Sequence, residues 1–196
     1  MGTEPDYDHL YETAENQAGY FTASQAQNCG FSWERLSDNV KSGRFMRLYR
    51  GVYRLTHFPS SPHEDLFVAW LRTGLQAVIS HESALTLYNL SDLLPGEIHV
   101  IIPRTASRRR PGLRLHTNSL KPEEITTREG LPVTTAARTI ADVAIDGLAE
   151  ELVVQAIHEA LDRGLTSREA LLDQANYQSG RAKRIIYETL TGNTPQ

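Results

Sequence analysis

The 196-residue chain has one cysteine, Cys29, and that scarcity removes several chemistries at once. A lone thiol cannot form an intrachain disulfide or build a thiolate metal cage, so a small buried hydrophobe is the role expected of it. Long apolar runs are missing too, and no stretch approaches the roughly 18 residues of a membrane-spanning helix. The first residues, Met1-Gly-Thr-Glu-Pro-Asp6, are acidic where a secretory leader is basic and then apolar, so the chain is expected to stay in the cytoplasm and off membranes. There is no phosphate-binding P-loop, no Gly-x-Gly-x-x-Gly, no nucleophile elbow and no His-Glu-x-x-His pair. His63-Glu-Asp65 and His81-Glu82 come nearest to metal or acid-base chemistry, and helix starts explain both better. Glu64 reads as a capping residue, and Ser80-His-Glu-Ser83 as polar groups supplied to free helical amides. The expectation is a non-enzyme with no catalytic residue, no cofactor and no metal. With 40% hydrophobic and 22% charged residues and no low-complexity tract or repeat, the chain is an ordinary globular one, long enough for one large or two small domains.

A net charge of -4 argues against a polyanionic partner until its distribution is considered. From Ser32 to Leu55 six basic residues (Arg35, Lys41, Arg44, Arg47, Arg50, Arg54) face only Glu34 and Asp38. A second basic run holds Arg104, Arg108, Arg109, Arg110 and Arg114 with no acid among them, whereas acids gather at the N-terminus and from Glu123 through Asp162. Such separation suits a protein that presents one face to nucleic acid.

The first sixty residues carry the clearest local signals. Leu10, Tyr11, Ala14 and Ala18 recur at helical spacing before Gly19, which predicts a first helix over about 8–17. Thr22 and Gln25 form a capping-box pattern that opens a short second helix, about Ala23 to Asn28. After the Cys29-Gly30-Phe31 turn, Ser32 caps a third helix that ends at Gly43, with Trp33, Leu36 and Val40 on its inner face. Two short helices around a glycine-containing turn make a helix-turn-helix, whose second helix enters the major groove. With Trp33 inward, the outward side carries Arg35, Asp38 and Ser42, flanked by Asn39 and Lys41, and the Arg35 guanidinium and Asn39 amide match guanine and adenine edges respectively. A merely solvated helix face is the alternative for any one of them.

Phe45 to Leu55 alternates apolar and basic residues around Arg50-Gly51 and predicts a hairpin. A two-residue turn there sets Leu48 opposite Tyr53 and Arg47 opposite Arg54, like charges that phosphates would neutralise; a register differing by one residue is the other reading. Either way the hairpin is a basic wing. The candidate DNA contacts are therefore Ser32, Arg35, Asp38, Asn39, Lys41, Ser42, Arg44, Arg47, Tyr49, Arg50 and Arg54, with Arg104, Arg108, Arg109 and Arg110 as a second candidate contact or a flexible, solvated loop.

Ser61 as N-cap, Pro62 at the first position and Glu64 predict a new helix, and the domain boundary is placed there, giving domains 1–60 and 61–196. Beyond lie strand-like Ile98 to Ile102, Leu113 to His116 and Leu131 to Thr134, and helices over His81 to Tyr88, Thr135 to Ala144 and Leu148 to Arg163. Further helices are boxed by Thr166 and Glu169 and span Arg181 to Leu190. Arg138 and Asp142 have the spacing of a helical ion pair. Arg181, Lys183 and Arg184 place positive charge at a helix start, against the dipole, which suits a second DNA contact, an acidic partner or a solvated face. The fold class is α+β: an N-terminal winged helix-turn-helix, then a mixed α+β domain that is helical from about residue 135.

Five stretches, in one order over nearly the whole chain, resemble the AbiEi-type antitoxin family of bacterial type IV, abortive-infection toxin-antitoxin systems. They are Gly19-Tyr-Phe-Thr-Ala-Ser-Gln-Ala26, Gly43 to Leu55 with Arg50-Gly-Val-Tyr53, Ile79-Ser-His-Glu-Ser-Ala-Leu85, Ile98-His-Val100 with Pro103, and Leu131-Pro-Val-Thr-Thr-Ala-Ala-Arg-Thr139 followed by Asp142. The resemblance implies a winged helix that binds double-stranded operator repeats and represses its own operon, with protomers paired on the DNA as a homodimer. It also implies a C-terminal domain that counteracts a nucleotidyltransferase toxin without a stable complex. The alternative is a protein-binding antidote whose C-terminal domain sequesters the toxin.

Overall fold

The computed structural model of the chain describes residues 4–91, 96–106, 110–178 and 180–192. The chain divides into two compact units, residues 1–76 with 129–131, and residues 77–128 with 132–196. Both mix helices with a sheet, so the α+β class holds, and among the described residues no helix is long and apolar enough to cross a membrane.

In the first unit the order is α1 (Tyr7–Glu15), β1 (Tyr20–Thr22), α2 (Ala23–Asn28), α3 (Trp33–Lys41), β2 (Phe45–Tyr49), β3 (Val52–Leu55) and α4 (Glu64–Thr73). Its helix starts follow from capping. The Thr22 hydroxyl accepts from the Gln25 amide while the Gln25 side chain accepts from the Thr22 amide at 2.8 Å, and Ser32 accepts from the Arg35 amide at 3.3 Å. The wing is completed by a strand the apolar periodicity does not reveal: β1 pairs with β3, giving an antiparallel sheet in the order β1-β3-β2. Leu10, Phe21, Phe31, Leu36, Phe45 and Tyr53 close one core with Cys29 buried among them as expected, and Phe21 sits edge-on to Phe45 at 5.0 Å and stacked on Tyr53 at 5.7 Å. Each such side chain, fully buried, is worth about 1.5–3 kcal/mol over exposure.

The expected boundary near residue 60 is not where the chain divides. Leu66, Phe67 and Trp70 of α4 are buried, and the helix packs on β1 and β3. Its start is half of the predicted one. The Glu64 carboxylate accepts from the Ser61 amide at 3.1 Å, but residues 62 and 63 form a turn and the helix begins only at Glu64.

The second unit has a five-stranded sheet in the order β6-β5-β4-β8-β7, built from β4 (Val78–Ile79), β5 (Ile98–Ile101), β6 (Leu113–His116), β7 (Ile125–Arg128) and β8 (Leu131–Thr134). β4 runs antiparallel to β5 and parallel to β8, and β5 runs parallel to β6. With it pack α5 (His81–Tyr88), α6 (Ala136–Asp146), α7 (Glu150–Asp162), α8 (Arg168–Tyr177) and α9 (Arg181–Thr191). Ala137, Ile140, Ala141 and Ala144 are buried, and so are Arg138, Thr139 and Asp142, because α6 is enclosed by α5, α7, α8 and α9. The Arg138 and Asp142 spacing does form an ion pair, Nε reaching the carboxylate oxygens at 2.9 and 3.0 Å, and Arg138 also holds Glu124 at 3.0 Å. Ser167, not Thr166, caps α8 by accepting from the Ala170 amide.

Candidate nucleic-acid interface

On α3 the buried side decides what can reach a groove. Leu36 is 1% exposed and Asn39 only 6%, whereas Trp33 is 59% exposed. The expectation placed Trp33 in the core and Asn39 at the DNA, and both are corrected. Asn39 is held inward because its amide donates to the Tyr7 hydroxyl at 3.1 Å and to the Arg35 carbonyl at 2.8 Å, bonds that a groove contact would break. Trp33 lies outside because it opens the helix, one residue past the Ser32 cap, where the core has not yet closed around it. With the inner face centred on Leu36 and Asn39, helical spacing turns Glu34, Ser37, Asp38 and Lys41 straight outward, all exposed, with Arg35 and Ser42 at the edge. Glu34 and Ser37 are thus outward residues absent from the expected contacts. Lys41 lies 3.4 Å from Asp38, Ser42 donates to the Asn39 carbonyl at 3.1 Å, and the Ser32 hydroxyl is occupied as the cap.

The wing keeps its two-residue turn but not its expected register. Gly51 has φ +81, the left-handed conformation that the turn needs and glycine adopts without strain, and Tyr49 pairs with Val52 across it. Between Arg47 and Tyr49 the ladder shifts by a residue, so Arg47 faces Tyr53 and Arg54 faces Met46. Arg47 and Arg54 therefore do not oppose each other. The Arg54 guanidinium instead turns away from solvent, its side chain 13% exposed, and donates to the carbonyls of Phe58 and Pro59 at 2.9 and 3.2 Å and to Glu64 at 3.1 Å. Burial resists ionisation of Glu64, but the Ser61 amide, the Tyr20 hydroxyl and Arg54 outweigh it and hold the carboxyl below its ordinary value. Tyr20 is pushed up to about 12 by burial and then by Glu64. Arg54 is a clasp of the fold rather than a DNA contact.

What the first unit leaves for a polyanion is narrower and better defined. Arg35, Arg47 and Arg50 are exposed and have no ion-pair partner among the described residues. Arg44 is exposed with its guanidinium over the Tyr7 ring at 5.6 Å, and Arg72 of α4 lies 4.2 Å over the exposed Tyr49 ring, adding a charge that the sequence reading did not include. A cleft of about 210 Å³ lined by Trp33, Ser37, Val40, Arg47 and Tyr53 joins α3 to the wing.

The second unit's basic residues are mostly occupied. Arg104 is exposed in a short 3-10 turn, Arg110 is half-buried and already engaged, and Arg108 and Arg109 lie outside the described residues. Arg114 pairs with Asp146 at 3.1 Å. At the start of α9, Arg181 donates to the Ala144 carbonyl at 2.6 Å and to the Leu148 carbonyl, closing the end of α6, and Arg184 pairs with Glu150 and Glu188. The acidic partner of that cluster is within the chain. Ser80 makes no side-chain cap; its hydroxyl lies 2.9 Å from His81 Nδ1, and Ser83 accepts from the His99 amide, so this segment does not act as the expected supplier of polar groups to helix amides.

The comparisons with known proteins also distinguish an N-terminal from a C-terminal part. Residues 9–56 match the family model described as a transcriptional regulator, AbiEi antitoxin, and residues 76–185 match the AbiEi antitoxin C-terminal domain. No curated protein sequence matches. Among solved structures, the crystal structure of the RV2827C protein from Mycobacterium tuberculosis is similar in fold, with a TM-score of 0.55 at 14% identity over 96% of this chain and 78% of that one. A regulator-type winged helix followed by a matched antitoxin domain over more than half the chain places this protein in the AbiEi antitoxin family, a DNA-binding antitoxin of a toxin-antitoxin system.

Proposed function

We propose that the chain represses its own toxin-antitoxin operon in the cytoplasm by binding operator repeats as paired protomers, and that it counteracts a nucleotidyltransferase toxin without forming a stable complex with it. The observation that carries the DNA half is the set of unpaired cations Arg35, Arg47 and Arg50 on α3 and the wing beside it. In this reading α3 enters the major groove with Glu34, Ser37, Asp38 and Lys41 toward the bases. Carboxylates there accept from cytosine amino groups and Lys41 donates to guanine. Arg35, Arg44, Arg47 and Arg50 take phosphates, which fix register without reading sequence. Trp33 and Met46, large apolar side chains left 59% and 49% exposed, rest against sugars at the edge of the groove.

With Arg54 withdrawn, about four phosphates are neutralised per protomer, so log affinity falls with log salt at a slope near -4 per protomer, about -7 for the pair. Gel-shift titration of the chain on the DNA upstream of its own reading frame, against scrambled DNA, tests this. Equal affinity for the two, or no salt dependence, would overturn it. The toxin half is tested by purification with the product of the adjacent gene: a stable equimolar complex would instead favour sequestration by the second unit.

A further inference from the structure

Three histidines that the sequence separates by 17 or more positions meet in the second unit: His81 at the start of α5, His99 on β5 and His116 at the end of β6. The sheet explains the meeting. In the parallel β5 and β6 pair His99 stands beside Arg114, so His116, two residues on, projects from the same face, and α5 packs against β5. The His81 and His116 rings stack at 3.6 Å and 11°, His99 lies within 5.7 Å of both centroids, and one nitrogen from each ring falls within 4.8 Å of the others. We propose that His81, His99 and His116 bind one divalent transition-metal ion of the zinc class through three imidazole nitrogens, leaving a fourth position to water or an external ligand.

Geometry supports the assignment at several points. His116 Nε2 and His99 Nδ1 are 3.4 Å apart. A tetrahedral ion with metal-nitrogen bonds of about 2.0–2.1 Å separates its ligand nitrogens by about 3.3–3.4 Å. The third nitrogen must close from at most 4.8 Å, so ion binding requires the stacked His81 and His116 rings to rotate until both aim at one point. The Ser80 hydroxyl, 2.9 Å from His81 Nδ1, occupies that nitrogen and orients the ring, as outer partners of metal-bound histidines do, and leaves Nε2 for the ion. His81 also has φ +51, a strained conformation for a residue with a side chain, which persists only where surrounding structure enforces it. His81 and His99 are each only 3% exposed, and burial disfavours the charged ring. Neutral imidazole is the ligating form. The facing cations do not forbid an ion, because Arg114 is paired with Asp146 and Arg138 with Glu124 and Asp142.

The full chain, stripped with chelator, is titrated with Co²⁺ and then Zn²⁺. The expected result is one Co²⁺ per chain, with the visible absorption of a four-coordinate ion, displaced by Zn²⁺, and a melting temperature higher by about 5–10 °C at a hundredfold excess over Kd. His116→Gln, at a half-buried position, should weaken binding at least a hundredfold with far-UV circular dichroism unchanged, whereas His158→Gln should leave it as it was. X-ray absorption of the zinc-loaded natural chain needs no variant and should count three imidazoles. No saturable absorption, undiminished binding in a folded His116→Gln chain, or sulfur or fewer than three imidazoles on the ion would each overturn the proposal.

Discussion

A guanidinium that lies buried, with one nitrogen donating to two carbonyls and a carboxylate, is out of a phosphate's reach, and this separates Arg54 from the exposed Arg47 although both stand on the wing. Arg54→Ala should lower stability by about 2 kcal/mol, since it strands Glu64 and two carbonyls, with DNA affinity per folded molecule nearly unchanged. Arg47→Ala should do the reverse, weakening binding to every sequence and flattening the salt slope by about one per protomer, with its melting curve unmoved. Thermal denaturation and gel shifts on both variants read the two outcomes. Asn39 and Trp33 carry the lesson about legibility at this scale. A helical wheel assumes that apolar residues go inward, which holds for Leu36 but fails for Trp33 at the open end of α3. Amide side chains are placed by partners the wheel does not contain, here the Tyr7 hydroxyl 32 positions away. The two tryptophans of this chain are accordingly unlike: Trp33 is exposed and Trp70 buried. Operator DNA should shift the fluorescence of natural protein, and Trp33→Phe should abolish the shift.

Helix ends were the most legible elements because their signals are local. Thr22 with Gln25, Ser32 before Trp33, and Gly43 just past α3 all mark ends where the structure has them. Thr22→Ala should cost about 1 kcal/mol through loss of both bonds of the capping box, measured by chemical denaturation. Strands were harder. β1 is three residues long and takes its place only by pairing with β3, and β7 has exposed, polar residues on both faces, so neither carries an alternating pattern. The wing's register escaped because one extra residue in β2 moves every partner beyond it. The segment from Arg54 to Glu64 also has an acid limit. Glu64 has a depressed folded value, so its contribution is complete above its ordinary 4.5 and is lost as pH falls through the lower folded value. A melting-temperature profile should show extra loss below about pH 4.5, and Glu64→Gln should remove that part while starting from a lower plateau.

At the scale of the whole chain, the order of motifs announced two functional parts, and the family matches at 9–56 and 76–185 bracket them. The position of the divide was not legible, because α4 has good capping signals of its own and only its packing on β1 and β3 assigns it to the first unit. Nor was the histidine cluster, whose members come from three elements. The chain's return through residues 129–131 was equally hidden, since those residues count with the first unit although more than fifty residues of the second precede them. There Gly130 has φ +83, and a Cβ would stand 2.8 Å from the Asn16 carbonyl oxygen and 3.5 Å from Phe67, while Glu129 reaches His63 at 3.2 Å. Gly130→Val should destabilise the first unit by more than about 1 kcal/mol, detected as faster amide exchange in α1 and α4. That thread of three residues bears on inheritance as well as stability. A DNA-binding unit that includes a strip of sequence from beyond fifty residues of its neighbour is not carried whole by a single crossover after α4, so the DNA-binding unit and the antitoxin domain should travel together as one heritable piece.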